Sequence, residues 1–272
     1  MSPQFRSAYT FLKRLAVGFI LFLSVSAYCQ KTETGKNECP ASRNEFDRLE
    51  RKAKSGNPQA QTILASCYEL GRNVKPNGLE TIRWLKLAAD QGYAPAEYEL
   101  GRMYLYGRGI PIDYQQALLW ETKAALQGER SAQRDLAFMY ERGLGVTPDP
   151  REAALWNRKA AEQGEPQAQL HLAEALEAGR GVPENSAEAK ERYLKAARQG
   201  VARAQLRVAQ IYAADAATTC QTAMLWYKQA AAGGETQAMY ESGNLYQTAK
   251  CGPDLLSAFV WFRIARPCSR IV

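Results

Sequence analysis

The stretch GLGVTPDPREAALW, residues 143–156, sets Gly143 and Gly145 just ahead of a helical pattern. Paired glycines there can turn backbone N–H groups toward a phosphate. A phosphate loop normally follows a strand and ends in Lys-Ser/Thr. No such ending follows here, and the same arrangement recurs as GRGIPID at 107–113 and GRGVPEN at 179–185. The acidic Asp149 would also repel a phosphate. The stretch reads as a turn. Catalysis finds little support elsewhere. His171 is the single histidine, which removes two-histidine metal sites by count. It has no visible nucleophile or acid partner. Neither S-x-x-K nor G-x-S-x-G occurs. No catalytic residue, metal ligand or cofactor is expected.

The six cysteines, at 29, 39, 67, 220, 251 and 268, form no C-x-x-C pair, so a zinc ribbon or redox dithiol has no basis. Residues 1–27 resemble an export signal. Arg6, Lys13 and Arg14 are basic, Leu15 to Leu23 are apolar, and Val25-Ser26-Ala27 are small. The apolar run is shorter than the roughly 20 residues that span a bilayer. Cleavage after Ala27 is expected, with an uncleaved membrane tether as the alternative. Tyr28 is too bulky for a lipobox at Cys29. An exported chain in a periplasm or outside the cell would hold its cysteines under oxidising conditions. The signal carries three of the basic residues and no acid, so the remainder holds +4 of the +7 net charge. That mild excess, without a basic run among aromatics, argues against nucleic acid.

The glycines belong to a repeat. Gly56, Gly92, Gly128, Gly164, Gly200 and Gly234 are spaced by 36, 36, 36, 36 and 34 residues. Alanine follows each at offset 4, from Ala60 to Ala238. Tyr68, Tyr104, Tyr140, Leu176, Tyr212 and Tyr246 stand at offset 12. Trp84, Trp120, Trp156, Trp226 and Trp261 recur late in each unit, with Arg192 the exception. Each unit reads as two helices, A and B. Gly71, Gly107, Gly143 and Gly179 end helix A. Asn77, Asp113, Asp149, Asn185, Thr219 and Asp254 begin helix B as N-caps. Glu80, Gln116, Glu152 and Glu188, three residues on, give four of these the capping-box spacing. Paired alanines such as Ala88-Ala89 let helices approach closely, and stacked units bury what one unit cannot.

The pattern A-x-x-x-L-A/G-x-x-Y-x-x-G-x-G-V/I-x-x-D-x-x-x-A-x-x-W-x-x-x-A-A-x-x-G resembles the Sel1-like repeat, a relative of the tetratricopeptide repeat. The expected fold is an all-α solenoid of about six 36-residue helix-turn-helix repeats over residues 55–266. Residues 28–42 read as a flexible linker, 43–54 as an N-terminal capping helix, and 267–272 as a tail. The family resemblance implies a scaffold that holds a protein or peptide, with helix A lining the concave face. Some cysteine-rich relatives have been called β-lactamases or penicillin binders, which leaves a cell-wall enzyme as the alternative. A monomer is expected.

Offsets 7, 10 and 14 of helix A share one face and vary from unit to unit. They read Ile63, Ser66, Leu70; Glu99, Arg102, Tyr106; Asp135, Phe138, Arg142; His171, Glu174, Ala178; and Arg207, Gln210, Ala214. Glu99, Arg102, Tyr106, Asp135, Phe138, Arg142, His171 and Arg207 are the candidate partner-binding residues, all expected at the surface. Tyr106 and Phe138 beside Arg102 and Arg142 suit a peptide anchor. Cys67, in a core slot, is expected as a packed thiol. Cys220 and Cys251 lie in neighbouring units and are expected to bridge.

Overall fold

The computed structural model describes residues 39–215 and 220–247. Twelve helices and no strand occur among the described residues. The helix α1 (Arg43–Lys54) stands alone at the start. Five pairs follow: α2 (Pro58–Leu70) with α3 (Gly78–Ala89), α4 (Ala94–Tyr106) with α5 (Tyr114–Leu126), α6 (Arg130–Arg142) with α7 (Pro150–Glu162), α8 (Pro166–Ala178) with α9 (Ser186–Arg198), and α10 (Ala202–Ala214) with α11 (Cys220–Ala232). The helix α12 (Thr236–Gln247) opens a sixth unit. Helices pack mainly on their neighbours in sequence, as a solenoid requires.

The local chemistry is repeated. Gly71, Gly107, Gly143 and Gly179 close helix A in the left-handed conformation. Asn77, Asp113, Asp149 and Asn185 cap helix B through their side-chain oxygens. Only this half of the capping box forms. The cap's own N–H donates to the carbonyl of the offset-12 residue instead, from Asn77 to Tyr68, Asp113 to Tyr104, Asp149 to Tyr140 and Asn185 to Leu176. The third-position acids are thereby released, and Glu188 accepts from Arg158 at 2.6 Å.

The second loop glycine joins units. Gly145, at φ 69°, presses its Cα against Tyr114 of the preceding helix B, so that a Cβ would come within 2.3 Å of the Tyr114 carbonyl oxygen. Gly181 meets Pro150 in the same way. In the first unit this slot holds Asn73, also left-handed at φ 61°, and its side chain donates to the Pro40 carbonyl. Asn is the residue other than Gly that best tolerates this conformation. The slot faces the start of α1, so α1 occupies the place of a helix B ahead of the first full unit.

The core follows the same period. Ala88-Ala89, Ala124-Ala125, Ala160-Ala161, Ala196-Ala197 and Ala230-Ala231 are buried, as are Trp84, Trp120 and Trp156. A polar ladder accompanies them. Gln61, Gln133, Gln169 and Gln205 donate to the carbonyls of Ala53, Ala125, Ala161 and Ala197 on the preceding helix B. Gln91, Gln163 and Gln199 donate in turn to the first three of these glutamines. The second unit has Glu97 in this slot, and it accepts from Gln127 at 2.6 Å. Burial pushes its carboxyl above the ordinary range, against the Gln127 hydrogen bond. Glu97→Gln would supply the missing donor toward Ala89. We expect a gain of about 1 kcal/mol, read as a higher Tm at pH 7.

Cys39 and Cys67 are joined by a disulfide, which corrects the expectation of a free core thiol at Cys67. Cys39 lies only three residues before the Ser42 cap of α1, so the end of the linker is already packed on the first unit. Cys220 begins α11 and is not a free thiol, whereas Cys251 lies outside the described residues. The signal segment and residues 267–272 lie outside them as well.

Candidate functional site

The variable helix A stripe lines three cavities. The first, of about 430 Å³, is walled by Ile63, Ser66 and Leu70 on α2 and by Tyr98, Glu99 and Arg102 on α4. The second, of about 600 Å³, takes Phe138 and Arg142 from α6, Asn157 from α7, and His171 and Glu174 from α8. The third, of about 380 Å³, includes Glu177, Tyr193, Arg207 and Gln210. Glu174, Arg180 and Arg203 line both the second and the third, so these two are continuous.

Arg102 lies over the rings of Tyr98 and Tyr106, 5.4 and 5.9 Å from their centroids, and pairs with Glu99 at 3.5 Å. Glu99 also holds Arg108 at 3.4 Å. Arg142 lies 5.8 Å over Phe138. Arg203 pairs with Glu174 at 2.9 Å, and Arg207 pairs with Glu177. Tyr106 is half exposed, Arg142 is exposed, and Arg102, Phe138, His171 and Arg207 are half-buried.

Asp135 departs from the surface expectation, being only 3% exposed. Its Oδ1 accepts from Arg134 at 2.7 Å and its Oδ2 has no partner. It is withdrawn because helix B of the preceding unit reaches under the stripe. The residue 29 after each unit's glycine does this: Leu85, Glu121, Asn157 and Tyr193, then Tyr227 in the shortened fifth unit. Each comes up against offset 7 of the next unit. Glu121 is the electrostatic neighbour of Asp135, Asn157 and His171 line one cavity, and Tyr227 donates to Glu241 at 2.6 Å.

Glu121 has no exposed surface, and neither of its carboxylate oxygens has a partner. Desolvation, reinforced by Asp135, drives its carboxyl well above the ordinary range, and the cations Arg102 and Arg134 only partly oppose this. Burial likewise lifts Asp135 against the pull of Arg134. Burial, helped by Asp135, pushes the Tyr98 phenol up to about 12. Space for the Glu121 carboxyl comes from Gly101, which replaces the Ala65, Ala137, Ala173 and Ala209 of other units. A Cβ at Gly101 would sit 2.8 Å from the Glu121 Oε1.

The helix B floor escapes a reading based on helix A alone. Its signal was present: offset 29 is polar in four units although it lies between the tryptophan and the paired alanines. Toward the C-terminus the floor is internally satisfied. Tyr193 donates to Glu177 at 2.9 Å, and Gln210 donates to Glu241 at 2.9 Å. In the middle it is not: Asn157 Oδ1 and His171 Nδ1 are buried without partners. No group of acids, cysteines and histidine among the described residues is arranged to hold a metal, and no described helix is long and apolar enough to cross a membrane.

Comparison with known proteins follows the same periods. The Sel1 repeat family matches residues 58–93, 94–129, 130–165, 166–201, 202–235 and 236–266. The crystal structure of a protective antigen present in uropathogenic Escherichia coli strains, displaying an SLR fold, is similar at 32% identity and a TM-score of 0.75. The alignment covers 80% of this chain and 47% of that one, so this chain spans about half its relative's length. A Sel1 repeat protein from Oxalobacter formigenes is similar at 27% identity and a TM-score of 0.67, covering 84% of this chain and 96% of the other. A search of curated proteins finds no match. With six matched repeats across most of its length, the chain belongs to the Sel1 repeat family.

Proposed function

We propose that this chain is an exported, non-enzymatic interaction scaffold that holds a protein segment along the helix A stripe. One observation carries the reading. Frame positions such as the buried alanines and the glutamine ladder recur from unit to unit, while offsets 7, 10 and 14 vary, offset 14 repeating only as Ala178 and Ala214 in the described units. Positions that stack one unit on the next are held to like residues, whereas positions on a partner-facing surface are free of that demand. Aromatic and arginine side chains dominate protein recognition, and the stripe offers Tyr106, Phe138, Arg102 and Arg142. Scaffolding is the general role of the family, and similarity to a protective antigen of uropathogenic strains supports an exported address. The signal-like residues 1–27 and the Cys39–Cys67 disulfide support the same address.

Photo-crosslinkers placed at Tyr106, Phe138 and Arg142 in cells test this, with exposed helix B positions Arg151 and Glu191 as controls. A discrete adduct from the stripe alone is expected. Adducts from the controls alone, or from no position, would remove the stripe as the binding face. The mass of the mature chain tests export separately, with Tyr28 expected as its first residue.

A further inference from the structure

The cavity between α6, α7 and α8 differs from the one that follows it in being left open chemically. Asn157 is 4% exposed and lines it, yet its Oδ1 has no hydrogen-bond partner. His171 lines the same cavity with its Nδ1 also unpartnered. A buried polar group that stays unmatched destabilises the fold. The next two junctions avoid that cost, because Tyr193 and Tyr227 at the equivalent floor position donate to Glu177 and Glu241. The cavity is also net positive, with Arg142, Arg180 and Arg203 against Glu141 and Glu174. Arg203 is paired with Glu174, whereas Arg142 and Arg180 make no ion pair among the described residues.

We propose that this cavity takes an extended peptide segment bearing an acidic side chain. The proposal rests on the scaffold reading and specifies its partner. A side-chain amide offers both a donor and an acceptor, which matches the N–H and C=O of an extended backbone. Asn157 would meet one peptide unit of the guest in this way, with His171 taking an adjacent polar group. A carboxylate supplies what Arg142 and Arg180 lack, and planar guanidiniums bind it through paired hydrogen bonds. Phe138, beneath Arg142, offers an apolar wall for the flanking side chain.

A random dodecapeptide display library selected against the immobilised full chain tests the proposal. The comparison variants are Asn157→Leu and the double variant Arg142→Ala/Arg180→Ala. Leucine is tolerated at this floor position, since Leu85 is buried there in the first unit. His171, the single imidazole of the chain, gives an NMR reporter inside the cavity. Selected peptides are expected to share an Asp or Glu, to shift the His171 ring resonances, and to bind both variants at least tenfold more weakly. Peptides that bind Asn157→Leu as well as the parent and leave His171 unmoved would overturn this site but spare the scaffold reading. Peptides that shift His171 yet carry no acid would overturn the acidic specificity. Failure to select any peptide above background would overturn both.

Discussion

Gly181→Ala is expected to lower Tm by roughly 6–12 °C, the equivalent of about 3 kcal/mol in a chain of this size. Two costs combine. An alanine forced to a φ of 72° loses roughly 1–2 kcal/mol to its own backbone. Its Cβ would also lie 2.0 Å from the Pro150 carbonyl oxygen and 2.8 Å from the Arg151 nitrogen. Those are backbone atoms of the neighbouring unit and cannot rotate away, so the two units must part, at about 1–3 kcal/mol. Gly164→Ala is the control. It sits at φ 86° with nothing within 4 Å of the added carbon, so only the conformational cost applies. Hydrogen exchange should open chiefly where α8 meets α7 in the first variant and show no such focus in the second. Equal losses in both would mean that the glycine serves conformation alone and not the joint between units.

Glu121→Gln is expected to raise stability at pH 7 by about 1.4 kcal/mol for each pH unit, up to pH 7, by which folding raises the Glu121 pKa, because the amide stays neutral without a proton. The effect should depend on pH in a defined sense. The folded-state carboxyl of Glu121 is raised above its ordinary 4.5, so the native state binds the proton more tightly than the unfolded chain. Its stabilising contribution is present below that value and is lost as pH rises through the folded pKa. Glutamine needs no proton. The variant and the parent should therefore melt together near pH 4 and separate as pH climbs. Asp135→Asn should act in the opposite direction at pH 7, because Asp135 Oδ1 is the acceptor for Arg134. A Glu121→Gln chain that is less stable than the parent at pH 7 would show the carboxylate to be ionised and matched by Arg102 and Arg134.

The fold was legible because six units serve as each other's comparison. Gly, Ala, Tyr and Trp recur at positions where a stacked helix pair admits few alternatives. The stripe was legible in outline by the opposite sign, variation at fixed offsets. What lay beyond reach was depth. Asp135 and Arg207 share one offset, yet Asp135 is buried and Arg207 is half exposed, because Glu121 and Tyr193 beneath them differ. Burial at this level is decided by a pair of residues from two units, and inspection of helix A sees only one of them. The Cys39–Cys67 bond was hidden for a related reason. Their 28-residue separation shows nothing by itself, and the contact exists only once α1 is stacked on α2. The acids with capping-box spacing misled in a small way, since the carbonyls at offset 12 had already claimed the cap N–H groups.

The pairing of offset 29 with offset 7 of the following unit has an evolutionary corollary. Each junction between the stripe and its floor is spelled across a boundary, with one letter from each side. Tandem duplication of residues 130–165 would copy every letter, yet at the new boundary Asn157 would face a second Asp135 in place of His171. A combination found nowhere in the parent would arise without a single point mutation, while every older boundary kept its spelling. Gain and loss of whole units can thus rewrite the stripe and its floor without substitution, and the frame that stacks the units stays untouched.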